Sequence, residues 1–123
     1  MNPKQHILLS ENGCLIKSCN TLFDTTILPP NKFLELFPLV ESVFVYLLQL
    51  PLSKHRIFER VSSNPTFLSG FYDFEFFVTL DENNARQLNW IIEDKTSQYC
   101  QLHLVLQQDQ GRIIDQERNF SYA

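Results

Sequence analysis

Three cysteines, three histidines and fourteen carboxylates are the side chains of this 123-residue sequence that could do covalent, metal or acid–base chemistry. Cys14, Cys19 and Cys100 are an odd set without tight spacing, so they do not suggest a disulfide framework. If Cys14 and Cys19 shared one strand, their odd separation would put them on opposite faces, and a reduced, intracellular setting is the simpler reading. There is no Cys-x-x-Cys and no His-Glu-x-x-His. His6, His55 and His103 lie far apart and read as surface or partly exposed residues. Asp73 and Glu75 share a strand face, where two carboxylates are usually just solvated. General acid–base work needs a pocket-facing carboxylate or His. The expected inner positions are almost all apolar, which leaves Asp94, at a strand end, as the best candidate. No Ser/His/Asp or Cys/His set is visible. The residues therefore argue against an enzyme.

The composition is that of one ordinary globular domain: 44% hydrophobic, 20% charged, with eleven Phe and one Met, so an aromatic core is expected. The formal net charge of −4 and scattered basic residues exclude a nucleic-acid module, which needs clustered Lys and Arg; Lys54-His55-Arg56 is too short a patch. The first residues lead into only a short apolar run, so no signal peptide is expected. The oily stretch 33–52 contains Glu35, Pro38, Glu41 and Gln49, and reads as a core helix rather than a membrane contact.

These side chains must be carried by a small set of elements. Residues 6–9 and 14–19 read as strands joined at Asn12-Gly13, a signal for a type I′ hairpin turn. Asn20 can cap a short helical turn over residues 21–24. Pro29-Pro30 breaks the chain, residues 32–37 make about one helical turn, and Pro38 starts a helix in which Leu39, Val43, Phe44, Leu47 and Leu48 recur at helical spacing until Pro51. Residues 56–61 are a third strand. Gly70 opens a long strand, 71–80, whose even positions are all apolar or aromatic, with Asp73, Glu75, Thr79, Phe71 and Phe77 on the other face. After the polar turn 81–84, residues 86–93 return as its partner, with Leu88, Trp90 and Ile92 on one face. The expected class is α+β: a five-stranded antiparallel sheet with helices packed on one face. From Ser97 onward the chain is polar and Gln-rich. Tyr99, Leu106, Ile113 and Phe120 recur every seven residues as one heptad column, beside Leu102, Asp109 and Gln116. That half-apolar seam, weakened by Gly111, predicts a C-terminal helix that needs a partner.

The order of elements, with Glu11-Asn12-Gly13-Cys14-Leu15-Ile16, Asn20-Thr21-Leu22-Phe23 and above all Leu88-Asn89-Trp90-Ile91-Ile92-Glu93-Asp94-Lys95-Thr96, resembles a PAS domain of the bacterial two-component sensor histidine kinase type. The likeness covers nearly the whole chain. Such a domain ends its last strand on a Trp-containing run and then Asp-x-Thr, which joins sheet to signalling helix. The resemblance implies a PAS-like sensor domain over 1–96, a signalling, coiled-coil-like helix over 97–123, and a signal-relay role for Asp94, Thr96 and Trp90. Thr96 is also expected to cap the exit helix, with Asp94 near its positive end.

The resemblance further implies a pocket between sheet and helices, here lined by Phe44, Leu47, Leu48, Tyr72, Phe74, Phe76, Leu88 and Trp90. Packing is the simpler reading of such a Phe stripe. No cofactor is evident. No Cys lies between Cys19 and Cys100, which argues against the family's flavin photochemistry, and residues 39–50 hold no His for haem. The expectation is a cytoplasmic homodimer through Tyr99, Leu102, Leu106, Ile113 and Phe120. It would feed a downstream output domain such as a histidine kinase, the 123 residues being a fragment of it. No phosphoacceptor context surrounds His103. A stand-alone module binding a small apolar ligand is the second reading.

Overall fold

In the computed structural model, which describes residues 2–26, 28–62 and 68–101, five strands form one sheet. They are β1 (Lys4–Leu9), β2 (Leu15–Ser18), β3 (His55–Val61), β4 (Tyr72–Leu80) and β5 (Arg86–Asp94). Their order across the sheet is β2-β1-β5-β4-β3, and every neighbouring pair is antiparallel. A 3-10 helix, Pro30–Leu36, and one α-helix, α1 (Pro38–Leu48), link β2 to β3.

The hairpin forms at the expected place with a different turn. Ser10 N–H donates to Cys14 O (2.8 Å) and Gly13 N–H to Ser10 O (2.9 Å), closing a three-residue loop. Only Gly13 takes a left-handed φ, of 81°, whereas a type I′ turn would need it at Asn12 as well. A side chain there would also run into Leu34. The expected helical turn over 21–24 is absent. Residues 21–23 are bends, and Asn20 instead accepts from the amide and hydroxyl of Thr25, at 3.0 and 2.6 Å.

Alternation decides which side is covered. Tyr72, Phe74, Phe76 and Val78 of β4 and Leu88, Trp90 and Ile92 of β5 are buried, together with Ile7 and Leu9 of β1. α1 starts on Pro38, whose missing N–H costs nothing in a first turn, and lays Val40, Phe44 and Leu47 against β4 and β5. It ends at Leu48, before Pro51, and the Arg86 guanidinium takes up the free carbonyls of Leu48 and Leu50 (3.2 and 2.7 Å). Among the described residues no helix is long and apolar enough to cross a membrane.

Candidate functional site

The sheet hands over to residues 96–101, which are helical, at the end of β5. Tyr72 pairs with Asp94, so the start of β4 lies beside the exit point. Asp94 N–H donates to Pro3 O, and Lys95 N–H donates to Phe71 O, each at 2.9 Å. The carboxylate of Asp94 accepts Thr96 N–H (2.9 Å), and the carbonyl of Lys95 accepts Tyr99 N–H (2.9 Å).

The capping role expected of Thr96 therefore belongs to its neighbours. Lys95 is the residue whose carbonyl opens the helix, and Asp94 satisfies the first free amide. The Thr96 hydroxyl instead reaches across to strand backbone, accepting Phe71 N–H (3.0 Å) and donating to Phe71 O (3.3 Å). Gly70 allows that approach, because a Cβ on it would overlap the Thr96 hydroxyl. Thr96→Val keeps the side chain's shape and removes both bonds. It should lower stability by about 1 kcal/mol, read as a shift of the urea midpoint at constant m.

A second contact lies one turn further on. The Tyr99 hydroxyl donates to Asp73 Oδ1 (2.7 Å), Lys95 Nζ stands 3.3 Å from Asp73 Oδ2, and Arg60 N–H donates to the same carboxylate (3.2 Å). The Tyr99 ring meets Phe71 edge-on, and the Arg60 guanidinium lies 5.1 Å from its centroid. Arg60 reaches this place through a one-residue bulge, since Phe58 opposes Phe74 but Val61 opposes Tyr72, and its φ is 57°. Asp73, expected to be merely solvated, is thus a clasp between β3, β4 and the exit helix. Glu75 is likewise engaged, with the ring of His55.

Charge and burial set how the clasp titrates. Burial raises the Asp73 carboxyl, but Tyr99, the Arg60 amide and Lys95 together hold it below its ordinary value. The hydrogen bond to Asp73, then burial and the charges of Asp73 and Glu59, push the Tyr99 phenol up to about 12 against the opposing charge of Arg60. A depressed acid stabilises above its unfolded pKa and loses that contribution as pH falls through its folded value. A raised phenol stabilises below its unfolded pKa, near 10, and loses that contribution as pH rises to about 12. The clasp's contribution to stability should therefore be complete from about pH 4 to about pH 10 and decline beyond those limits, the clasp itself opening only as pH falls through the lowered value of Asp73 or rises to about 12. Following the Tyr99 ring resonance with pH checks this, and a midpoint near 10 would contradict it.

The chain matches no family model, no curated protein and no solved structure.

Of the other residues singled out from the sequence, the structure gathers the inner-face set into one cluster. Phe44, Leu47, Tyr72, Phe74, Phe76, Leu88 and Trp90 are buried, and Leu48 is partly buried against them. The Trp90 ring centroid lies 5.1 Å from that of Phe74 and 5.7 Å from that of Phe76. Phe33 and Phe37, which periodicity did not assign to this set, join it; Phe37 meets Trp90 edge-on at 5.1 Å. Trp90 Nε1 is buried with no hydrogen-bond partner. Trp90 thus belongs to the packed centre, four residues before Asp94 on β5, while Asp94 and Thr96 stand at the junction itself.

The Tyr99 hydroxyl is bonded to its own sheet, and Leu102, Leu106, Ile113 and Phe120 lie outside the described residues. His6 and His55 sit on the outer sheet face, and His103 is not among the described residues. Cys14, Cys19 and Cys100 are free thiols. Among the described residues no group of three or more His, Cys, Asp or Glu is placed to hold a metal ion.

Proposed function

We propose that this chain is a PAS-type sensory and signal-relay domain, a cytoplasmic fragment of a bacterial two-component sensor histidine kinase. Its output leaves through the C-terminal helix. It works as a relay and not as a catalyst. The observation that carries this reading is the double attachment of the exit helix: Thr96 to the backbone of Phe71, and Tyr99 to Asp73. Both anchors are on the β4 side of the sheet, while the covalent link comes from β5. A change in the β4–β5 register or twist would then alter the direction of the helix, because its base is held at three points by two strands. The five-stranded antiparallel sheet and the position of Asp94-Lys95-Thr96 at its exit are consistent with what the PAS resemblance implies.

The output half of the proposal is a parallel homodimer through the C-terminal segment, ahead of an output domain. Its test is the molar mass in solution of the whole chain and of a version ending after Gln101, which keeps the clasp. A dimer that becomes a monomer on truncation supports pairing through that segment. A monomer in both cases contradicts it.

The second reading, a stand-alone module for a small apolar ligand, is favoured by one feature, the buried and unpartnered Trp90 Nε1 among aromatic rings. Leaving such a donor unpaired costs about 1–3 kcal/mol, which a ligand bearing an acceptor would recover. A shift of the Trp90 indole N–H resonance with a small aromatic ketone would support that reading.

A further inference from the structure

β3 closes one side of the sheet, and among the described residues its backbone hydrogen bonds go to β4 alone, so its other edge is unpaired. An unpaired edge offers a row of amides and carbonyls to any extended chain that can lie beside it. The regular part of this edge is residues 55–58, ahead of the bulge at Arg60. His55, Arg56 and Ile57 are exposed there, and Phe58 is half-buried. His55 stacks on Phe77, and Ile57, opposite Glu75, shares that outer side; Arg56 lies on the inner side with Phe58. The opposite edge of the sheet, β2, is shorter and has one cation, Lys17.

The charge of the β3 edge runs against that of the chain. The net charge is −4, yet Lys54, Arg56 and Arg60 fall within seven residues that hold one carboxylate, Glu59. All three cations are exposed, and no ion pair among the described residues includes any of them. The Arg56 guanidinium rests 5.4 Å from the centroid of the Phe58 ring and the Arg60 guanidinium 5.1 Å from that of Tyr99, contacts that place the charges without neutralising them. Two copies of this edge laid together would bring the same cations face to face, and like charges across a strand pair are unfavourable. The same charges favour a strand of the opposite sign.

We propose that the free edge of β3 is a docking site for an acidic protein segment, bound in extended form as a sixth strand. One carboxylate of the segment stands opposite Arg56, a second meets Lys54, and an apolar side chain covers Ile57, which is 53% exposed. Main-chain bonds supply affinity for an extended chain, and the charges select its sequence. The link to the exit helix rests on the relay reading. The bulge that ends the docking run carries Arg60, whose amide donates to Asp73 and whose guanidinium faces Tyr99. A strand seated beside residues 55–58 bears on that bulge and so on the clasp.

The test titrates the full chain, up to several millimolar, with an acetylated and amidated Val-Glu-Thr-Glu-Val peptide, whose acids have the same spacing in either strand direction, and follows backbone amide resonances. Shifts are expected at residues 55–58 and should weaken as salt is raised. Arg56→Glu and Lys54→Glu, both at exposed positions, should each weaken binding severalfold with the amide spectrum elsewhere unchanged. The same peptide N-methylated at every backbone amide keeps its charges but has no N–H to pair, and should not bind. No shift with the acidic peptide, shifts centred on β2, or equal binding by the N-methylated peptide or by a Val-Lys-Thr-Lys-Val peptide would overturn the proposal. Peptide bound at β3 with the Tyr99 ring resonance unmoved would sink the relay reading and not the docking edge.

Discussion

Phe74→Ala is expected to destabilise the chain by about 3–5 kcal/mol, among the largest effects of any single truncation here. The side chain is fully buried on the inner face of β4 and packs edge-on against Trp90 at 5.1 Å and Phe76 at 6.2 Å. Its strand neighbours are Ile92 on β5 and Phe58 on β3. Rings on both sides are themselves locked by other rings, so the site can collapse only partly and most of the cavity term remains. Urea unfolding followed by Trp90 fluorescence measures it. A loss below about 1 kcal/mol would mean that the inner and outer faces of β4 had been exchanged.

Gln5→Leu is the second large effect, expected to cost about 2–4 kcal/mol although it replaces a polar group with an apolar one of similar size. Gln5 is fully buried on β1 and each end of its amide is used. Oε1 accepts Leu22 N–H and Phe23 N–H at 2.8 and 2.9 Å, and Nε2 donates to Ser18 Oγ and Phe23 O at 2.7 and 3.1 Å. One side chain thus does for the 21–23 bend what a helix would have done for itself. Leucine would remove the acceptor of two amides and bring nothing polar in return. Thermal and urea unfolding should show the loss, with faster exchange of the Leu22 and Phe23 amides. An unchanged midpoint would show that the bend is held by other means.

What could be read from the residues differs by kind of interaction. The strict alternation of Tyr72, Phe74, Phe76 and Val78 is a period-two signal, and it fixed both the strand and its buried side. Pro38 marked the first residue of α1, because a missing N–H is harmless only there. Asp94 and Thr96 are legible as a pair, but the cap expected of Thr96 falls to Asp94, and Thr96 bonds strand backbone instead. Sequence spacing cannot show that Phe71, 25 residues earlier, offers the Thr96 hydroxyl a backbone partner. The clasp at Asp73 was not legible for the same reason: its partner Tyr99 is 26 residues away, and an acidic residue on an outer strand face carries no sign of one. Arg60 reaches it only through a bulge, which no alternation pattern announces. Nothing in the sequence marks Gln5 as buried, since its burial depends on the loop that folds over it. Phe33 joins the core from a 3-10 helix and Phe37 from the single residue between it and α1, and so short a stretch leaves too few residues for a period to emerge.

Two features of the clasp bear on the proposed relay. It is polar and partly open to water, so each of its bonds is worth little alone. It is also shared by three elements, so loosening any one of them lowers the hold on the helix without unfolding the sheet. A base held by contacts of this strength can respond to modest changes in the sheet, whereas one packed into the aromatic core could not.

The measurement that bears most directly on this account is amide hydrogen exchange of residues 99–101 in the whole chain and in Asp73→Ala, with the β4 and β5 amides as the internal reference. The account predicts that the variant exchanges these helical amides about tenfold faster or more, with the protection of β4 and β5 unchanged, because the base of the helix is released from an intact sheet. Equal protection of residues 99–101 in the two proteins would contradict it: the helix would then be held by something other than Asp73, and the clasp would not be the point where sheet and helix are joined.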